Sequence, residues 1–192
     1  MTRNTMTAQP RNDQTMKSHY SEPPQGQIVA RHTLSVLVDN EPGVLARIAG
    51  LFSGRGYNIE SLTVSETEHE QHVSRITIVT AGTANVIEQI KHQLDRLIPV
   101  HRVIDLTAAG DAVERELALV KVVGKGDQRV EALRLSQAFG ARTVDATLTS
   151  FVFELTGSSE EIERFIRLMS GCGLSEVSRT GIAAMSRGPE SM

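Results

Sequence analysis

Apolar residues recur along the chain at two periods, and the switches between those periods mark out its elements. In HTLSVLV, Leu34, Val36 and Val38 alternate with Thr33, Ser35 and Leu37, which predicts a strand with one buried side. In PGVLARIAGLFSGRG the period lengthens. Val44, Leu45, Ile48, Ala49 and Phe52 form a helical stripe, and Gly54 and Gly56 stop it. NIESLTV and HVSRITIVTAG alternate again across the polar loop SETEHEQ. Val86, Ile87, Ile90, Leu94 and Leu97 then return at helical spacing, Pro99 follows, and VHRVIDLT closes the unit as a strand. The order is βαββαβ.

After the polar joint AAGDAVERE the same order repeats. LALVKVV predicts a strand, GDQRVEALRLSQAFG a helix ended by Gly140, and ARTVDATLT and SFVFELTG two further strands. SSEEIERFIRLMSGCG opens with Ser158 and Glu161 at capping-box spacing and aligns Ile162, Phe165, Ile166 and Met169 on one side. LSEVSRTGIAAM is the last strand. The fold class is α+β, two tandem ferredoxin-like βαββαβ units over residues 32–107 and 117–186, with 108–116 as linker. The halves share an architecture but no recognisable sequence.

Two helices cover only one face of a four-stranded sheet. The other face of the first sheet would carry Thr33, Ser35, Thr63, Arg75 and Thr77 with Leu37 and Val79, polar enough to be wet. In this topology the strand Ile59 to Val64 lies at an edge, with little beyond Glu60 to discourage pairing with another chain. Two copies meeting there on a two-fold axis would form one continuous sheet, so a homodimer through the first unit is expected.

Residues 1–30 change the picture. They are polar, with Gln, Asn, Ser and a Pro-Pro pair, follow neither period, and read as a disordered tail or as an extension upstream of a later start Met. Charge excludes a class of partner: 20 Lys+Arg against 23 Asp+Glu give −3, no basic excess with which to neutralise phosphates, so no nucleic acid is expected. Cys172 is the one cysteine, which removes internal disulfides and thiolate metal clusters. No apolar run spans a bilayer and no secretory segment opens the chain, so no membrane association and a cytoplasmic location are expected.

No arrangement of residues suits catalysis, and none suits a metal. His69 and His72 share a loop without a third ligand, and Glu66, Glu68 and Glu70 lack EF-hand spacing. GKGDQ, residues 124–128, is too short for a P-loop and reads as a strand-to-helix turn. Cys172 has no assignable base and reads as an ordinary thiol. DNEPGVL remains. A helix start presents unpaired N–H groups and roughly half a positive charge, which suits a carboxylate. Gly43 lets a ligand approach the backbone, and Asn40 offers both a donor and an acceptor. On the residues alone a plainer reading stays open, in which Pro42 and Gly43 form the turn and Asn40 caps it.

The stretch LSVLVDNEPGVLARIAGLFSGRGYNIESLTV resembles an ACT domain, and more narrowly the small regulatory subunit of acetolactate (acetohydroxyacid) synthase. SRITI, EQIKHQLDRLIPVHRVIDL, VERELALVKV and SRTGIAAMSRG continue the likeness from about His32 to Gly188. RGYNIESLTV and ERELALVKV are particular to that family, whereas PGVL marks ACT domains generally. The resemblance implies a subunit of branched-chain amino acid biosynthesis that makes no bonds itself. It would activate a large catalytic partner carrying thiamine diphosphate, magnesium and FAD, and would make it sensitive to feedback by valine. It further implies an effector site between two ACT domains, with Asn40, Gly43, Val44 and Leu45 from one chain and Asn58 and Ile59 from the other. The second unit would contact and activate the catalytic subunit. The alternative is a stand-alone amino-acid-responsive regulator, for instance of transcription, which would need a helix-turn-helix or a basic face.

Overall fold

The structure is a computed structural model and describes residues 28–68, 72–110, 112–189 and 192. The first unit comprises β1 (Ala30–Asp39), α1 (Val44–Gly54), β2 (Ser61–Glu68), β3 (Val73–Gly82), α2 (Ala84–Leu94) and β4 (Val100–Asp105). The second comprises β5 (Ala112–Val123), α3 (Asp127–Ala138), β6 (Arg142–Ala146), β7 (Ser150–Gly157), α4 (Ser159–Met169) and β8 (Leu174–Ser186). Each unit is a four-stranded antiparallel sheet, ordered β2-β3-β1-β4 and β6-β7-β5-β8, so the ferredoxin-like pattern occurs twice.

Periodicity places the two helix-side cores. Leu34, Val36 and Val38 of β1 meet Val44, Ile48 and Phe52 of α1 and Ile87, Ile90 and Leu94 of α2, all fully buried. Leu45 turns outward, away from the stripe to which its spacing assigned it, and stands 43% exposed. In the second unit Ala118, Val120 and Val122 pack on Phe153, Ile162, Phe165 and Met169. The Ser158 hydroxyl accepts from Glu161 N at 3.2 Å, so the cap read from the sequence is formed. Gly56 takes φ 71 just past α1, and Tyr57 N returns to Phe52 O at 2.9 Å, a left-handed helix stop that glycine makes cheap.

Several boundaries differ from the sequence reading, and β6 ends at Ala146, short of the Thr149 that ARTVDATLT implied. β2 continues through Ser65 and Glu66, whose backbones pair with Arg75 and Ser74 of β3 whatever their side chains, and past a register shift to Glu68 opposite Val73. His69 and Glu70 lie outside the described residues. β5 begins at Ala112, so most of the expected linker is strand, and the joint shrinks to the turn around Thr107–Gly110. The tail expected over 1–30 lies almost wholly outside the described residues, and β1 already begins at Ala30.

The first sheet's second face is covered, not wet. β5 and β8 run on past their own helix-covered sheet, and their outer ends lie against β1, β2 and β3. Val79, Leu106, Ile182 and Ala184 form a third core between the units, and Thr33, Ser35 and Thr77 are buried with them. β8 bulges where Ile182 pairs with Glu116 but Arg179 with Ala118. Gly181 supplies the bulge at φ 80. The backbone freed there is taken up by β2: Ser61 Oγ accepts from Ile182 N at 3.2 Å, and the Thr63 hydroxyl donates to Ile182 O at 2.5 Å.

Beside the bulge, the buried Glu116 carboxylate takes Arg179 in a two-pronged ion pair at 2.8 and 2.6 Å and accepts from Ser159 Oγ at 3.1 Å. Burial alone would raise the Glu116 pKa. The hydrogen bonds and charge of Arg179 outweigh it and hold the carboxyl below its ordinary value. Stability from this pair is therefore present above the usual glutamate pKa of about 4.3 and is lost as pH falls through the lowered folded value. Glu116→Gln is expected to cost about 3 kcal/mol at neutral pH, near the lower end for a broken buried pair because Arg179 is partly exposed. Urea unfolding across pH should show wild type and variant converging in acid. Parallel curves would contradict the assignment.

Candidate effector site

The turn after β1 is built by the strand that precedes it. Asn40 N donates to His72 O at 2.6 Å, fixing the loop beside the β2–β3 connection, and Glu41 N donates to Asp39 O at 3.0 Å. Gly43 then takes φ 91, ψ −8 and α1 begins. A Cβ there would meet nothing within 4 Å, so the glycine answers a backbone requirement in open space.

The plainer reading of Asn40 fails. Gly43, not Asn40, is the residue before α1, and no side chain caps the helix. No acidic residue stands in its first turn either. Val44 N reaches only Glu41 O at 3.4 Å, a long contact, and Gly43 O serves Arg47 N at 3.0 Å. Pro42 brings no N–H of its own. Asn40, Pro42, Gly43 and Leu45 are exposed around this helix start, and Val44 is buried beneath it. The equivalent turn of the second unit differs. Gly126 precedes α3 without a side-chain cap, but Asp127 supplies a negative charge in the first turn. GKGDQ is thus the strand-to-helix turn expected. Both α1 and α2 start without a side-chain cap or an acidic first turn, but Thr83 before α2 is buried, whereas Gly43 before α1 is exposed.

Asn58 and Ile59 lie elsewhere. The Thr80 hydroxyl donates to Asn58 O at 2.7 Å, and Glu60 N donates to Val79 O at 2.8 Å, which sets this segment level with the start of β1, where His32 pairs with Thr80. The loop after Asp39 is level with Val73, at the other end of the sheet. Six or seven residues of strand separate the two levels, roughly 20 Å at about 3.4 Å per residue. One chain does not bring the two halves of the predicted site together. An antiparallel pairing of β2 with a second β2 would: the end of one strand, Glu66–Glu68, lies level with its own loop and would face Asn58 of the other. β2 is an edge strand, with Val64 exposed on it and Leu45 exposed on α1.

Of the other candidates, Cys172 is the one the structure places fully. Cys172 is buried, and burial, with the negative charge of Glu131, pushes its thiol above the ordinary value, so it stays protonated. His72 is described, but His69 is not. Among the described residues no group of three metal-type ligands is present, and no helix is long and apolar enough to cross a membrane. The sequence reading missed the Glu41–Arg47 pair at 3.5 Å beside the loop and the Glu116–Arg179 pair. Neither has helical or strand spacing that could reveal it.

Two βαββαβ units, the first with an open, glycine-entered helix start at the end of its central strand, define an ACT-type regulatory unit followed by a second ferredoxin-like unit. Residues 34–102 match the acetohydroxyacid synthase small-subunit-like ACT domain, and 115–188 match the family described as the small subunit of acetolactate synthase. The chain is 48% identical over 158 residues to a probable acetolactate synthase small subunit of Archaeoglobus fulgidus, covering 82% of this chain and 98% of that one. It is 44% identical over 163 residues to the isozyme 3 small subunit of Salmonella typhimurium, covering 84% and 99%. The crystal structure of the acetolactate synthase small subunit of Thermotoga maritima superposes with a TM-score of 0.75 at 37% identity, over 84% of this chain and 99% of that one. The chain belongs to the acetolactate synthase small-subunit family, a regulatory subunit and not the catalyst.

Proposed function

We propose that this chain activates a thiamine-diphosphate-dependent acetolactate synthase catalytic subunit and makes it sensitive to valine. The reading rests on the open N-terminus of α1, uncapped and without an acidic neighbour in its first turn. Valine docks its carboxylate on the N–H groups of Gly43, Val44 and Leu45, with Asn40 beside them. Asn58 and Ile59 of a two-fold-related partner close the site from the facing β2. Charge-assisted hydrogen bonds contribute about 1.5–3 kcal/mol each, so a few suffice for a metabolite sensor. The isopropyl group needs only a shallow apolar patch, which Leu45 and Ile59 supply.

Valine inhibits because it binds one arrangement of the dimer more tightly than the other. Thiamine diphosphate, magnesium and FAD belong to the catalytic partner in this reading. The second unit supplies the contact with that partner. Its bare sheet face carries Leu119, Val123 and Val152 among the ion pairs Lys121–Glu176 and Arg142–Glu154, both at 2.9 Å, a mixture suited to docking a large subunit.

The test is acetolactate formation by the catalytic subunit with and without this chain, across a valine titration. Activity should rise with the chain present and fall again with valine. An unchanged rate would remove the activating role, and a raised but valine-insensitive rate would remove the sensor. Asn40→Ala is expected to weaken valine binding by about 1–3 kcal/mol in calorimetry. Unchanged affinity would take Asn40 out of the site.

A further inference from the structure

The start of β2 lies close to two different places. Asn58 and Ile59 precede it, and Ser61 and Thr63 follow at once with bonds into the second unit. Ser61 Oγ accepts from Ile182 N at 3.2 Å, and the Thr63 hydroxyl donates to Ile182 O at 2.5 Å. Two residues of strand, roughly 7 Å at about 3.4 Å each, separate Ile59 from Ser61. Within the chain β2 is an edge strand paired with β3, so a pull on its start is resisted by one ladder and not by two.

The receiving end in β8 is a bulge. Between the pairs Glu116–Ile182 and Ala118–Arg179, Thr180 and Gly181 stand opposite the single Leu117. A hydroxyl stands in for the ladder there: Thr180 Oγ1 accepts from Leu117 N at 3.1 Å. Gly181 leaves no room for a Cβ beside Ser61. Arg179, on the other side of the bulge, holds the buried Glu116 carboxylate of β5, which also accepts from Ser159 Oγ at the first residue of α4. A shift of the bulge therefore reaches both β5 and α4. Hydrogen bonds weaken steeply when bent or stretched, whereas the apolar core beside them has no preferred direction. The hydroxyls are what tie the position of β2 to that of the bulge.

We propose that the hydroxyl joint of Ser61 and Thr63 with Ile182 relays valine occupancy from the start of β2 to the second unit, and that inhibition of the catalytic subunit passes through it. The relay rests on the valine reading above, in which Asn58 and Ile59 complete the partner's site. Ser61 and Thr63 are positioning residues: they touch no effector and set where the bulge sits. With the joint intact, the two arrangements that valine distinguishes differ in the second unit as well. With the joint cut, valine still binds, but its preference for one arrangement no longer reaches the catalytic partner.

The test is Thr63→Val, similar in shape but without the hydroxyl, read in two ways. Calorimetry measures valine binding to the purified full chain, and acetolactate formation measures inhibition of the synthase assembled with it. Valine affinity should stay within about twofold of wild type and activation should persist, while the half-inhibition concentration rises about tenfold or more. Thr63→Ser, which restores the donor, should return inhibition to the wild-type concentration. Ser61→Ala removes only an acceptor and should give the same split in smaller measure, so the test stands if Thr63→Val folds poorly. A wild-type chain that binds no valine would overturn the effector reading and the relay with it. Binding and inhibition both unchanged in Thr63→Val and Ser61→Ala would overturn the relay alone, as would the two lost together in a folded variant.

Discussion

Gly43→Asp should abolish the valine response of the assembled synthase while leaving its activation intact. The substitution meets no steric bar, because a Cβ at Gly43 has nothing within 4 Å. Its backbone cost is that of a left-handed residue at φ 91, about 1–2 kcal/mol, and Asp is among the side chains that tolerate this region. The new carboxylate would sit where α1 offers its unpaired N–H groups and gain part of that cost back from the helix dipole. It would thereby occupy the anion site permanently and repel a second carboxylate. A half-inhibition concentration raised about 100-fold or more corresponds to about 2.7 kcal/mol of lost binding, within reach of two charge-assisted hydrogen bonds. Gly43→Asn separates charge from strain: similar in shape but neutral, it should shift the response by less than about tenfold. A Gly43→Asp synthase inhibited at the wild-type valine concentration would show that the effector docks elsewhere.

The second large effect is expected at the junction of the units. At Gly181 an added Cβ would lie 2.6 Å from Ser61 Oγ and 3.3 Å from Thr63 Cγ2, at a φ of 80 that β-branched residues do not adopt without strain. Gly181→Val therefore has to displace either the bulge or β2. Either movement breaks the bonds from Ser61 and Thr63 to Ile182 and opens the core of Val79, Leu106, Ile182 and Ala184. A loss of roughly 3 kcal/mol or more follows from strain and lost burial together. Scanning calorimetry should show the units melting apart, with Gly181→Ala intermediate. A single transition at the wild-type temperature would mean that the junction contributes little.

The sheets and α-helices of the described residues are legible in the sequence from periodicity wherever an element buries one side; β6, exposed throughout, shows itself by its β-branched residues and its neighbours. Val44, Ile48 and Phe52 announce α1 by spacing, and β7 runs over the residues that alternation gave it. What stayed hidden was long-range. Thr33, Ser35 and Thr77 read as a wet face because their side chains are polar, and nothing local says that β8 will cover them. The extension of β2 to Glu68 was masked in the same way, since backbone pairing with β3 is indifferent to Ser, Glu and Thr side chains. Glu116 and Arg179 meet across a sheet from positions 63 residues apart. At the candidate site, the glycine turn and the open helix start could be read directly. That Asn58 and Ile59 lie at the opposite end of the same sheet from the loop follows from strand register, which no local pattern displays.

If each effector site is shared by two chains, a mixed dimer will reveal it. Gly43→Asp damages the loop half of the site, and Asn58→Asp damages the strand half. A dimer of one chain of each kind has one site with both halves altered and one with both halves intact. Calorimetry on such heterodimers, purified with two different tags, should find one valine per dimer at wild-type affinity, although neither homodimer binds. If the mixed dimer is as inert as its parents, the site does not cross between protomers and the account is wrong.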